Sequence, residues 1–281
     1  MKVSFVFILG VMLSFIITDV YSQNQKYQFE INSTAVKGEV YPIEIVLPEA
    51  YDSTLRYPIV YVTDWWFSSQ IVLGLCNTLS QADAVIPFII VGISNHGELN
   101  DWRLERFRDL TPTNIPEDDH PDSLGVAKRG ITGGSPNFLK FIKEELIPTV
   151  EEKFLSDTIN RGIVGYSLGG LFSAFVLTEE PQLFQHYLIG SPSLSYDDSE
   201  VIKSLERMPS NKLLTVKTVF ISVGEEESGN SLKGFADFRD LILEKDLPNI
   251  KLESIIIEDA DHSSAVDPTI IEGFQFLYGS K

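Results

Sequence analysis

The run Arg161-Gly162-Ile163-Val164-Gly165-Tyr166-Ser167-Leu168-Gly169-Gly170 constrains this chain's fold more than any other stretch. A short apolar segment ends at Gly165, a serine follows two residues later, and glycines return at once. The helix-compatible segment Leu171 to Thr178 then begins. Gly-x-Ser-x-Gly between a strand and a helix demands a very tight turn, in which a side chain at Gly165 or Gly169 would strike neighbouring backbone. The serine at the apex is held in a strained conformation with its hydroxyl exposed, and the adjoining helix N-terminus favours developing negative charge. The blander reading of the same residues is a glycine-rich helix start with Ser167 as its N-cap.

Strands and helices alternate around this run. Tyr27 to Ile31 and Glu39 to Leu47 read as an antiparallel hairpin, with a turn near Ala35 to Gly38. Pro58 to Val62 is a short apolar strand ending in Thr63-Asp64-Trp65-Trp66, and Gln70 to Ala82 is helical. Pro87 to Ile93 is a continuous apolar run, as in a strand buried on both faces. Periodicity is lost from Asn95 to Pro136, a Pro-, Gly-, Asp- and Thr-rich stretch read as a long functional loop. Asn137 to Phe154 has a helical stripe with a kink or break expected at Pro148. Leu183 to Ile189, Thr218 to Val223 and Leu252 to Ile257 read as strands, with helices at Leu232 to Lys245 and Pro268 to Leu277. The pattern predicts an α/β fold with a mostly parallel central sheet, helices on both faces and an N-terminal antiparallel hairpin.

Met1 to Ser22 stands apart. Lys2 precedes an almost wholly apolar run from Val3 to Ile17, and Val20-Tyr21-Ser22 offers small residues at a cleavage site. This predicts an export signal, residues 1–22, followed by one domain, residues 23–281, with no stable membrane insertion after cleavage. Lys2 and Asp19 are one charge of each sign, so the mature chain keeps the formal net charge of −18. Such a surface repels phosphate backbones and disfavours nucleic-acid binding. Cys76 is the only cysteine, so neither an intrachain disulfide nor a cysteine-based metal cluster can form.

In a parallel sheet, ligands bind beyond the carboxyl ends of the strands. Asp64-Trp65-Trp66, Ser167, Glu225 to Glu227 and Asp261-His262 all fall at such ends. Their order, nucleophile then acid then histidine, is that of an α/β-hydrolase. A serine hydroxyl needs an imidazole to take its proton. His262, in a post-strand loop after both serine and acid, is the candidate. His186 starts a predicted strand at the other edge, and His96 and His120 lie in the irregular stretch. For the acid that orients the imidazole, Glu227 is preferred because a residue three past Gly224 can turn back. Glu226 ranks second, Glu225 also follows the strand, and Asp261 reads as a loop cap. The oxyanion needs fixed N–H donors; the candidates are the backbone N–H of Leu168 and that of Trp65, with Trp66 as its alternate.

Several blocks resemble the putative-esterase family of α/β-hydrolases, which includes enterobactin-type siderophore esterases and feruloyl or acetyl xylan esterases. These are Arg106-Phe107-Arg108-Asp109-Leu110-Thr111-Pro112-Thr113, Gly133-Gly134 with Glu144-Glu145-Leu146-Ile147-Pro148, and Gly165 to Phe172. Ser191-Pro192-Ser193-Leu194, Val223-Gly224-Glu225 and Asp261-His262-Ser263-Ser264 complete the likeness, which runs from about Tyr27 to the C-terminus. The resemblance implies serine ester hydrolysis with no metal or organic cofactor, acting on a small-molecule or oligosaccharide ester, in the periplasm or outside the cell. The siderophore-esterase-like branch is nearest in character. Asp64-Trp65-Trp66 departs from the family's usual Asp-Gly-Asp or Asp-Gly-Asn. Trp66, Arg106 and Arg108 are candidate substrate contacts, with core or lid packing of the tryptophans and pairing of either arginine to Asp109 or another acid as the alternatives. Other readings are an acetyl or feruloyl esterase of plant polysaccharide, an acyltransferase with the same residues, and a non-catalytic ligand-binding homologue.

Overall fold

The structure is a computed structural model describing residues 25–115, 132–245, 247 and 249–280. The segment Met1 to Ser22 and His120 lie outside the described residues. Eight strands form one sheet in the order β1-β2-β4-β3-β5-β6-β7-β8. They are β1 (Lys26–Asn32), β2 (Val40–Val46), β3 (Tyr57–Val62), β4 (Ile89–Ile93), β5 (Ser156–Tyr166), β6 (His186–Gly190), β7 (Lys217–Gly224) and β8 (Ile250–Ile257). β1 and β2 pair antiparallel, β2 joins β4 antiparallel, and every pairing from β4 through β8 is parallel. The sheet is therefore mostly parallel with an antiparallel hairpin at one edge.

The period-two alternation of strand side chains sorts the core onto two faces. Ile59 and Tyr61 of β3, Val91 of β4, Ile189 of β6 and Ile221 of β7 point to one face. That face is covered by α3 (Ser135–Phe141), α5 (Leu168–Glu179), α6 (Tyr196–Arg207) and α7 (Gly229–Glu244). Val60, Ile90, Leu188 and Phe220 point the other way, against α1 (Trp65–Gln81) and α8 (Val266–Tyr278). Cys76 is buried among these residues as a free thiol, and burial pushes its ionisation well above the ordinary thiol range. It is packing rather than a nucleophile.

Three local features differ from the sequence reading. The helix expected from Gln70 starts at Trp65, directly after Asp64, so the two tryptophans open α1 instead of forming a post-strand loop. A helix, α2 (Leu99–Leu110), occupies part of the stretch read as irregular. Its sequence is rich in charge, and its order comes from tertiary ion pairs, described below, that local periodicity does not register. The Pro148 break takes the form of a π-helical turn, Ile142–Leu146, between α3 and α4 (Ile147–Lys153). Proline has no N–H to close an α-turn, and the wider turn keeps the segment helical through it. Among the described residues no helix is long and apolar enough to cross a membrane.

Candidate active site

The β5–α5 turn sets the site. A Cβ at Gly165 would lie 1.9 Å from the Gly169 carbonyl oxygen, and one at Gly169 would lie 2.6 Å from Thr63 Oγ1. Neither position tolerates a side chain. Ser167, at the apex, sits at φ 60°, ψ −117°. A non-glycine residue held there carries strain on the order of 1–3 kcal/mol. Its N–H donates to the Gly190 carbonyl at 2.9 Å, which ties the apex to β6. Leu168 follows as the first residue of α5, where backbone N–H groups have no acceptor within the helix.

Ser167 lines a cleft of about 280 Å³ together with His262. His262 sits in the loop after β8, and its Nδ1 is 2.9 Å from Glu227 Oε2. The other carboxylate oxygen of Glu227 accepts the Gly224 N–H at 3.1 Å. The Glu227 side chain is 2 % exposed and that of His262 49 %. Burial alone would raise the Glu227 carboxyl; the hydrogen bonds from His262 and from the Gly224 N–H outweigh it and hold the group below the ordinary glutamate value. Glu227 is therefore an acceptor at neutral pH, and His262 presents its Nδ1–H to it. That tautomer leaves Nε2 as a proton acceptor. Tyr166 braces the same loop: its hydroxyl donates to the His262 carbonyl at 2.8 Å and its ring leans on the imidazole at 5.2 Å. Burial, with the nearby Glu227 charge, pushes the phenol up to about 12.

The neighbouring acids have other partners. Glu225 accepts the Asp259 N–H at 3.1 Å, and Glu226 is exposed. Asp261 accepts from Ser263 and Ser264, at 2.9 and 2.8 Å from their N–H groups, and caps its own loop. His96 is exposed beside Glu30, 3.7 Å away. His186 is packed against Tyr278 at the start of β6, the opposite end of the strands from Ser167. Burial first, then the charge of Lys217, pushes its imidazole down to about 4.

Across the cleft from α5, Asp64 follows β3 in the left-handed region, at φ 54°, ψ 33°, as the residue directly before α1. Its carboxylate accepts Arg106 Nε at 3.0 Å and Nη2 at 2.8 Å, and the Trp102 indole N–H at 3.2 Å. The Arg106 guanidinium also lies over the Trp102 ring, 4.8 Å from its centroid. This bidentate, stacked arrangement fixes the β3–α1 turn to α2. The Trp65 N–H, at the first helical position after Asp64, belongs to that turn.

Two candidate substrate contacts lie off the cleft and follow the alternative readings, ion pairing for Arg108 and packing for Trp66. Arg108 does not line the cleft; its guanidinium pairs with Asp109 at 2.7 Å and with Glu39 at 2.7 Å. The Trp66 ring also stays off the cleft wall and stacks on Trp102, centroids 5.5 Å apart. The Trp65 ring is buried against the sheet, where a Cβ at Gly92 would lie 2.2 Å from it. Phe67 and Trp102 supply the aromatic wall instead, with Ile71, Val266 and Ile270 beside them. Sequence reasoning missed Phe67, Trp102, Tyr166 and Asp64 as a carboxylate partner. The available signal was the aromatic triplet Trp65-Trp66-Phe67 directly after a strand-ending aspartate. Among the described residues no cluster of three or more His, Cys, Asp or Glu is arranged to hold a metal ion.

This fold is that of an α/β-hydrolase. The profile of a family described as "Putative esterase" matches residues 33–236, and the chain belongs to that family of ester hydrolases. It is 31 % identical over 214 residues to the ferri-bacillibactin esterase BesA of Bacillus subtilis, covering 69 % of this chain and 68 % of that one. It is 28 % identical over 169 residues to the siderophore triacetylfusarinine C esterase of Aspergillus fumigatus, covering 56 % of this chain and 53 % of that one. Among solved structures, the BES protein from Bacillus cereus superposes with a TM-score of 0.81 at 28 % identity, over 90 % of this chain and 96 % of that one. An IroE-like serine hydrolase from Shewanella oneidensis superposes at 0.76 with 25 % identity, over 90 % and 80 %.

The Glu227–His262 bond can be tested apart from the fold. Glu227→Gln is expected to lower kcat for a simple ester by about three orders of magnitude, because the amide favours the wrong imidazole tautomer. The same substitution should cost stability at pH 7, where the depressed carboxyl is ionised and bonded. Its cost should shrink as pH falls below the ordinary glutamate range and wild-type Glu227 becomes protonated. Urea midpoints across pH 3 to 8 check the sign; a cost that grows on acidification would contradict it.

Proposed function

We propose that this chain is an exported serine hydrolase that opens ester bonds of a siderophore-type ligand through an acyl-enzyme. The observation that carries the reading is the Glu227–His262 hydrogen bond, 2.9 Å long, beside Ser167 in one cleft. The siderophore esterases named among its relatives support the substrate class, and the apolar leader Met1 to Ser22 supports export.

In this mechanism Ser167 Oγ attacks the ester carbonyl carbon as its proton passes to His262 Nε2. Glu227 holds the imidazole by Nδ1–H and stabilises its positive charge while remaining ionised. The carbonyl electron pair moves onto oxygen, where the N–H groups of Leu168 and Trp65 receive it. Each such donor is worth roughly 3 kcal/mol of transition-state stabilisation. Both stand in the first turn of a helix, so two helix N-termini converge on the developing charge. Collapse expels the alcohol, which takes the proton from His262, and water repeats the sequence in reverse to free the acid.

Steady-state hydrolysis of a p-nitrophenyl ester and of a cyclic siderophore lactone tests the reading. Ser167→Ala and His262→Ala should each lose at least about a thousandfold in kcat while keeping the wild-type melting profile. Retention of activity in Ser167→Ala would overturn the assignment. Export predicts Gln23 as the first residue of protein recovered outside the cytoplasm, and an intact Met1 leader there would contradict it.

A further inference from the structure

The charge around the cleft restricts what can enter it. Arg106 is the one lysine or arginine among the described residues lining the cleft. Its Nε–Nη2 edge is taken by Asp64, and the pair is largely shielded, with side chains 15 % and 9 % exposed. Among the described residues the cleft therefore offers an incoming anion no lysine or arginine free of a carboxylate partner. The two loops that carry Glu227 and His262 are acidic: Glu225 and Glu226 on the loop before α7, and Glu258, Asp259 and Asp261 on the loop after β8, are all exposed. The formal net charge of −18 adds a field of the same sign at long range. The accessible wall is apolar, with the Phe67 ring 57 % exposed at the cleft and stacked on Trp102 at 5.3 Å.

We propose that the cleft selects uncharged esters with a planar or apolar arm and discriminates against anionic ones, so that it takes the iron-free form of a catechol siderophore rather than its ferric complex. The choice of ligand rests on the hydrolase reading above; the charge selection rests on the cleft alone. A catechol ligand without iron is uncharged at neutral pH. Ferric iron bound by three catecholates is a trianion, which would meet these acidic loops with no unpaired lysine or arginine among the described residues of the cleft. The relatives do not decide the matter by resemblance, since one is named a ferri-bacillibactin esterase and another an apo-salmochelin esterase.

The test compares kcat/KM of the full-length mature enzyme for p-nitrophenyl butyrate and p-nitrophenyl hemisuccinate, and for a catechol trilactone with and without ferric iron. At about 0.01 M salt the neutral member of each pair should be favoured about tenfold or more. The gap should narrow towards about 1 M, as the screening length falls from about 30 to about 3 Å. Phe67→Lys, at an exposed helical position, should raise the hemisuccinate-to-butyrate ratio at least about fivefold. An equal or faster rate for the anionic member, or an anionic rate that falls with salt, would overturn the proposal. If neither trilactone is cleaved while the p-nitrophenyl pair behaves as expected, the siderophore reading fails and the charge selection stands.

Discussion

The site depends on one steric fact, the contact between Gly165 and the Gly169 carbonyl. A Cβ on Gly165 would sit 1.9 Å from that oxygen, so the end of β5 and the first turn of α5 meet backbone to backbone. This closeness forces Ser167 to φ 60° and brings the start of α5 beside the end of β3. Gly169 serves the second purpose: its missing side chain leaves room for Thr63 Oγ1 and the Asp64 carboxylate, 2.6 and 3.4 Å from where a Cβ would be. Two helix N-termini can then face one cleft. A larger residue at either glycine would separate the nucleophile from the turn that is proposed to share its oxyanion.

Asp64 links that geometry to the cleft's electrostatics. A left-handed aspartate at the start of a helix is uncommon, and here it is held by Arg106 and Trp102 from α2. The pairing engages the one lysine or arginine among the described residues lining the cleft, so Arg106 takes the second of its two sequence readings, a residue paired to an acid, and acts as a strut in the fold. The cleft wall beyond that pair is largely apolar and aromatic, with Phe67, Trp102, Ile71, Val266 and Ile270 facing Ser167 and His262. Burial of Glu227 under the imidazole completes the division: its charge stays beneath His262 while the other loop acids stay in solvent.

How much of this was legible in the sequence follows from where the information resides. The strand–turn–helix run around Ser167 is local, and its glycines announce a tight turn directly. The alternation of apolar strands with helices gave the α/β class for the same reason; the order serine, acid, histidine pointed to His262 and to the run Glu225 to Glu227, and the spacing from Gly224 favoured Glu227 within it. Longer-range information was less accessible. Leu99–Leu110 is a helix tied to the rest of the fold by Arg106 with Asp64 and Arg108 with Glu39, partners that no local window joins. The roles of Trp66 and Phe67 depend on where α1 begins; starting it at Trp65 rather than Gln70 turns Phe67 to the cleft and Trp66 onto Trp102. Arg106 and Arg108 are indistinguishable by residue type and are separated only by their partners.

The central claim is that Ser167 is a nucleophile activated through His262. It is tested most directly by treating the protein with a fluorophosphonate and mapping the adduct by peptide mass spectrometry. The account predicts one phosphonyl group, on Ser167, absent from Ser167→Ala and formed far more slowly in His262→Ala. An adduct on another residue, or undiminished labelling of Ser167→Ala, would contradict it.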